Sequence, residues 1–128
     1  MKWLFRTFVK TRRPVLGPIL LLRERLTAPQ GVERSPLAQK EVDRQCRDLA
    51  LYQFKTCPFC IKVRQEMRRL SLPIELRDAQ FDATHREALA QGGGKPAVPC
   101  LLIRDERGGA RWMYESGDII AYLRARFP

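Results

Sequence analysis

Two cysteines separated by two residues, Cys57-Pro58-Phe59-Cys60, are the part of this 128-residue chain most able to do chemistry. The apolar run Leu49-Ala50-Leu51-Tyr52-Gln53-Phe54 ahead of them reads as a strand. Behind them Val63, Met67 and Leu70 recur at helical spacing, which assigns Lys62, Arg64, Arg68 and Arg69 to solvent. Cys57 therefore falls where a strand gives way to a helix, at the helix's N-terminal end. Unpaired backbone N–H groups and the positive end of the helix dipole favour a thiolate there over a thiol. Pro58 suits the first turn, because the N–H it lacks would have had no intrahelical partner. Cys60 lies one turn further on, more buried and within reach of a disulfide. Cys57 is thus the expected nucleophile and Cys60 the resolving thiol.

Other uses of these residue types fit less well. A structural zinc needs four ligands. Beyond the pair only His85, Cys46 and Cys100 remain, and they form no second close-spaced pair, so no metal is expected. A passive disulfide would not require a strand-to-helix setting. Gly92-Gly93-Gly94-Lys95 resembles a phosphate loop superficially but lacks the required spacing and the Lys-Ser/Thr ending. It reads as a flexible connection. His85 sits on a polar helix and reads as solvated, and Cys46 as a small space-filler.

The elements that must position the pair follow from the rest of the chain. Charge is uneven: residues 1–48 carry 11 basic and 5 acidic side chains, residues 49–128 carry 13 and 9. No acidic residue precedes Glu24, and Trp3, Phe5 and Phe8 alternate with Lys2, Arg6, Lys10, Arg12 and Arg13. The uncharged run Pro14–Leu22 is nine residues long, against the ~20 a spanning helix needs. Arg23-Glu24-Arg25 then stands where a signal peptide would have its small-residue cleavage site. Residues 1–26 read as a basic apolar helical extension able to lie on a membrane surface. Packing on the following domain and an organelle-targeting presequence are the alternatives. No nucleic-acid-binding motif accompanies the charge, so nucleic acid is not an expected partner.

Thr27–Pro36 reads as a linker, and a short helix capped by Ser35 follows to Asp48; together these make a 27–48 connecting region. From Leu49 the order is strand, Cys-bearing helix, strand Ile74–Asp78, and a helix capped by Asp82 or Thr84 that runs to Gln91 with Gly92 ending it. Pro99 opens the apolar strand Cys100–Arg104, and Arg107-Gly108-Gly109 turns into Arg111–Glu115. The last helix presents Ile119, Ile120, Leu123 and Phe127 on one face, with Ser116 as its expected N-cap.

This β-α-β-α-β-β-α order, with Cys57-Pro58-Phe59-Cys60, Val98-Pro99, and Glu115-Ser116 followed by Ile119 and Tyr122-Leu123, resembles the thioredoxin fold. Within that fold residues 49–128 are similar to the glutaredoxins and to glutathione S-transferase N-terminal domains. The Tyr52–Cys60 stretch is also similar to the membrane-associated prostaglandin E synthases. The resemblance implies an α/β domain on a mixed four-stranded sheet and glutathione as co-substrate. It implies that Pro99 is cis and that Val98 pairs strand-like with the cysteinyl part of glutathione. Ser116 and Gly117 would offer N–H groups to the γ-glutamyl carboxylate, and Glu115 or Asp118 would receive its ammonium group. Two positions depart from the pattern. Phe59 replaces the usual tyrosine, and Phe54 stands where the lysine for the glycine carboxylate is usual, leaving Lys55 as the candidate.

The expected function is glutathione-dependent thiol–disulfide exchange on protein or small-molecule mixed disulfides through Cys57, with glutathionylated or disulfide-bonded proteins as partners. The alternatives are a glutathione-bound iron–sulfur module ligated by Cys57, or a glutathione transferase or isomerase. Four cysteines do not make a secreted framework, so a reducing cytoplasmic setting is expected, peripheral on the inner face of a membrane.

Overall fold

The computed structural model describes residues 17–128. The Trp3, Phe5 and Phe8 part of the expected membrane segment lies outside the described residues. Helix α1 occupies residues 17–26. It is followed by α2 (Pro36–Cys46), β1 (Leu49–Gln53), α3 (Pro58–Arg69), β2 (Glu75–Asp78), α4 (Ala83–Gly93), β3 (Cys100–Arg104), β4 (Ala110–Tyr114) and α5 (Ser116–Arg126). The sheet runs β2-β1-β3-β4; β1 pairs parallel with β2 and antiparallel with β3, and β3 pairs antiparallel with β4. This is the mixed four-stranded sheet of a thioredoxin-like fold.

All five residues of β1 are buried, as a strand covered on both faces must be. One side packs Leu49, Leu51 and Leu101 against Val63 and Met67 of α3 and Ile119, Leu123 and Phe127 of α5. The other packs Ala50, Tyr52, Cys100 and Leu102 against Leu89 of α4. Cys46 closes the first of these clusters from α2, in keeping with a space-filling role. Helices α3 and α5 are also joined by a carboxylate, since the buried Glu66 accepts from Arg124 Nε at 3.0 Å and from Arg69 Nε at 2.9 Å.

Three local expectations need correction. Arg64 is not left for solvent but is 7% exposed, because α1 lies across that face of α3 and sets Glu24 against it. Residues 27–35 are not a free linker. Thr27 Oγ1 accepts from Gln65 Nε2, the Val32 N–H donates to the Arg69 carbonyl, and Arg34 Nη1 donates to the Leu70 carbonyl at 2.6 Å. The glycine triplet is not a flexible connection: Gly92 and Gly93 are helical, and only Gly94, with φ 91°, ends α4. A Cβ on Gly92 would sit 2.1 Å from the Trp112 ring, and one on Gly93 1.9 Å from Tyr114 Oη. The sheet's aromatics come so close to α4 that only backbone fits between them.

Candidate active site

Cys57 is the N-cap of α3, in extended backbone (φ −75°, ψ 124°), half-buried, and makes no side-chain cap hydrogen bond. Its N–H donates to the Phe54 carbonyl and its carbonyl accepts from the Ile61 N–H, so the residue is fixed while its sulfur is uncommitted to the backbone. Pro58 holds the first helical position. Cys60 is completely buried one turn on, and the two are free thiols. Burial pushes the Cys60 thiol up to about 12, and its hydrogen bond and proximity to Cys57 act in the same direction. Cys60 therefore keeps its proton at neutral pH and can share it with Cys57.

Beside this turn lies a small cleft of about 160 Å³, lined by Phe59, Lys95, Ala97, Val98, Pro99, Tyr114, Glu115 and Ser116. The Val98–Pro99 bond is cis. Three chain segments thus meet in one place: the start of α3, the α4–β3 connection with its cis turn, and the β4–α5 junction. Phe59 is 56% exposed and forms one wall, with Lys62 Nζ 5.8 Å from its ring. At the junction Glu115, not Ser116, is the N-cap of α5, and no side-chain cap bond is made. Ser116 is the first helical residue, so its N–H is one of the helix's unpaired donors, and its hydroxyl does not cap the helix. Glu115 has φ 72°, a backbone that a non-glycine residue adopts only at a cost of roughly 1–3 kcal/mol. The outcome is a carboxylate on the cleft wall directly before a helix N-terminus.

Gly117 and Asp118 occupy the exposed first turn of α5, next to the lining residues. Lys55 is elsewhere. It lines a second, larger cleft of about 610 Å³ with Pro18, Leu22, Gln53, Leu76 and Asp78, on the α1 side of the Cys57 loop. The carboxylate-binding role implied for it is therefore not supported by its position. The cation that does line the first cleft is Lys95, which sequence reasoning passed over as part of a glycine loop. Tyr114 was passed over as well. Its hydroxyl donates to the Lys95 carbonyl at 2.8 Å, and Lys95 Nζ lies 4.7 Å above its ring. Tyr114 is also the cross-strand partner of the buried Cys100, whose thiol burial pushes up to about 11.

The cleft suits a small peptide carrying both signs of charge. The Val98 backbone beside the cis bond borders the cleft, helix N–H groups and Lys95 can meet carboxylates, and Glu115 can meet an ammonium.

Fold and cleft together define a thioredoxin-like domain with a cysteine pair at the start of α3 and a cis-proline in the cleft beside it. Comparison with known proteins is consistent with that class. Residues 51–128 match the family described as "Glutathione S-transferase, N-terminal domain", and the chain belongs to that family. It is 34% identical over 92 residues to prostaglandin E synthase 2 of Danio rerio; the match takes in 69% of this chain and 22% of that one, so the chain spans about a fifth of the relative's length. Among solved structures, glutathione transferase Omega 3C from Trametes versicolor is 23% identical, covering 76% of this chain and 42% of its own, at a TM-score of 0.50. A wheat glutaredoxin is 20% identical, covering 70% and 84%, at a TM-score of 0.46.

Proposed function

We propose that this chain is a glutathione-dependent thiol–disulfide oxidoreductase. The observation that carries the reading is the placement of a half-exposed Cys57, paired with a buried, protonated Cys60, next to a cleft with donors and acceptors for glutathione.

The Cys57 thiolate attacks the glutathione sulfur of a protein–glutathione mixed disulfide. A Cys57–glutathione disulfide forms, the old S–S bond breaks, and the protein thiolate leaves and takes up a proton. Val98 and the α5 N-terminus hold the glutathione moiety, which fixes the line of attack. A second glutathione thiolate then attacks the glutathione sulfur on Cys57, giving glutathione disulfide and returning the Cys57 thiolate. Alternatively Cys60 loses its proton, attacks the Cys57 sulfur and expels reduced glutathione, leaving the Cys57–Cys60 disulfide. In the first route the protein–glutathione mixed disulfide and one free glutathione thiol become the protein thiol and glutathione disulfide, and Cys57 returns unchanged.

The test is a glutathione-coupled reduction of a small mixed disulfide by wild type, Cys57→Ser and Cys60→Ser. Cys57→Ser should abolish turnover and Cys60→Ser should retain much of it. Equal rates for wild type and Cys57→Ser would overturn the mechanism. Family membership favours a second reading, in which Cys57 serves transfer or isomerisation with glutathione. That reading predicts consumption of an electrophile without formation of glutathione disulfide.

For location, we propose that residues 1–26 hold the domain at an anionic membrane surface facing the cytoplasm. Among the described residues no helix is long and apolar enough to cross a membrane. Supporting surface contact, Ile19, Leu22 and Leu26 of α1 lie on one helical face and are 53%, 57% and 76% exposed.

A further inference from the structure

Helix α1 lies outside the family match, which begins at residue 51, yet it is tied to the loop that carries the nucleophile. The tie is Arg64. Its Nε donates to Glu24 Oε2 at 2.9 Å and its Nη2 to Glu24 Oε1 at 2.8 Å, a forked pair between α1 and α3. The same Nη2 donates at 2.8 Å to the carbonyl of Lys55, two residues before Cys57. Nη1 donates to Gln53 Oε1 at the end of β1. Arg64 and Glu24 are 7% and 5% exposed. One guanidinium thus holds the end of β1, the loop leading to Cys57, and α1.

This geometry needs all three partners. A buried guanidinium is tolerated only with a counter-charge and with its N–H groups satisfied. Glu24 supplies the only carboxylate within ion-pair distance of Arg64 among the described residues. Its fork also fixes the plane of the guanidinium, and that plane aims Nη2 at the Lys55 carbonyl. Gly17, at the other end of the described helix, comes up to Thr56: a Cβ there would be 3.3 Å from Thr56 Cγ2. So α1 touches the Lys55-Thr56-Cys57 loop directly and also grips it through Arg64.

We propose that Glu24 and Arg64 are positioning residues for Cys57, which makes α1 part of the active site. The proposal rests on Cys57 being the nucleophile. Arg64 anchors the approach to the Cys57 turn, and Glu24 holds Arg64 in the orientation that does so. Without the anchor the loop relaxes and the sulfur spends less time in line with a disulfide in the cleft. Displacements of about 1 Å at reacting atoms cost up to roughly a hundredfold in rate. The cleft at Val98 and Ser116 is built by other elements and keeps its affinity for glutathione.

The experiment uses the full chain with Arg64→Lys, Glu24→Gln and Gln65→Ala. Lysine keeps the charge but cannot fork across Glu24, Gln53 and the Lys55 carbonyl. Glutamine at position 24 keeps the size and one acceptor oxygen. Gln65→Ala removes the Gln65–Thr27 bond, a different link between α3 and the end of α1, and leaves the Arg64 contacts intact. Two rates are read: kcat and KM for glutathione in the mixed-disulfide assay, and iodoacetamide labelling of Cys57 at fixed pH, followed by mass spectrometry. Arg64→Lys should lower kcat and Cys57 labelling by about tenfold with KM for glutathione unchanged, within the range that loop misplacement allows. Glu24→Gln should lower both by a smaller factor, and Gln65→Ala should change neither. Folding is checked by near-ultraviolet circular dichroism; should Arg64→Lys not fold, Glu24→Gln carries the test. Wild-type kcat and labelling in folded Arg64→Lys and Glu24→Gln overturn the proposal. An equal loss in Gln65→Ala also overturns it, since helix docking alone would then account for the effect. If the wild type reduces no mixed disulfide, the proposed function fails while Cys57 labelling still decides the role of Arg64.

Discussion

Cys60, completely buried, sits one helical turn after the half-exposed Cys57 that caps the same helix. The two sulfurs are chemically alike but differ in environment. Burial holds a proton on Cys60, whose thiol is pushed up to about 12. Cys46 and Cys100, also buried, are each pushed up to about 11. At pH 7.5 iodoacetamide should therefore modify Cys57 alone, as read by peptide mass spectrometry. Equal labelling of Cys60 would remove the division of roles. A stability consequence follows with a definite sign. The folded-state values lie above the ~8.5 of an unfolded cysteine, so the stabilisation is complete below that pH and is lost as pH rises towards 11–12. Thermal melts between pH 8.5 and 11 should fall for wild type, and less steeply for Cys60→Ala.

The close approach of α4 to β4 gives a substitution whose sign opposes the usual rule. Replacing a helical glycine by alanine ordinarily gains about 0.5–1 kcal/mol. At Gly92 the new methyl would meet three atoms of the Trp112 ring at 2.1–2.9 Å, and that ring is packed against Tyr52 with centroids 5.3 Å apart. Overpacking of this kind costs roughly 1–3 kcal/mol. Gly92→Ala should lower the urea midpoint accordingly; an increase would show that the ring can yield. Gly93→Ala presses on Tyr114 instead, and because Tyr114 lines the cleft it should also raise KM for glutathione.

How far the sequence led can be judged at particular residues. The Cys57-Pro58-Phe59-Cys60 turn and the cis Val98–Pro99 bond sit where pattern and resemblance put them, whereas the cap of α5 falls on Glu115, one residue before the expected Ser116. The buried face of α5 was equally legible, since Ile119, Leu123 and Phe127 follow a helical period. Arg64 was not. A charged residue between apolar ones looks solvated unless one knows that a carboxylate 40 positions earlier packs on it. Lys95 and Tyr114 join the cleft through a contact spanning 19 positions, which no local pattern encodes. The one available signal was chemical: three consecutive glycines suggest close packing as readily as a loop.

Glu66 ties α3 to α5 and makes stability depend on acid pH. Its hydrogen bond from Arg69 first, and then its bonds from Arg124, hold the carboxyl below the usual carboxylate range against the opposing effect of burial. With the folded value depressed, the contribution is present above the unfolded value of ~4.3 and disappears as pH falls through the folded one. Glu66→Gln should therefore lower Tm at pH 7 and leave it nearer to wild type below pH 4. A constant difference across that window would mean that packing, not charge, makes the contribution.

Membrane attachment must now be tested with α1 docked, because the structure removes the idea of a free tether at residues 27–35. Cutting the chain at Leu37 would also strip Glu24 from Arg64, so a truncation would confuse folding with binding. Substitutions separate the two. Lys2, Arg6, Lys10, Arg12 and Arg13 each contribute about 1 kcal/mol near an anionic leaflet while they remain close to it. The exposed Ile19, Leu22 and Leu26 add burial at ~25 cal/mol per Å². None of those three side chains makes a bond in the Glu24–Arg64 fork, so changing them to serine leaves its partners in place. The full-length chain should sediment with phosphatidylserine vesicles. The Ile19→Ser, Leu22→Ser, Leu26→Ser variant should bind more weakly, and the chain with its first five basic residues changed to glutamine should stay in the supernatant. High salt should release part of the wild type, since screening removes only the electrostatic share. If the wild type also stays in the supernatant at low salt, residues 1–26 serve the thioredoxin-like domain alone, and the exposed face of α1 is not a lipid-binding surface.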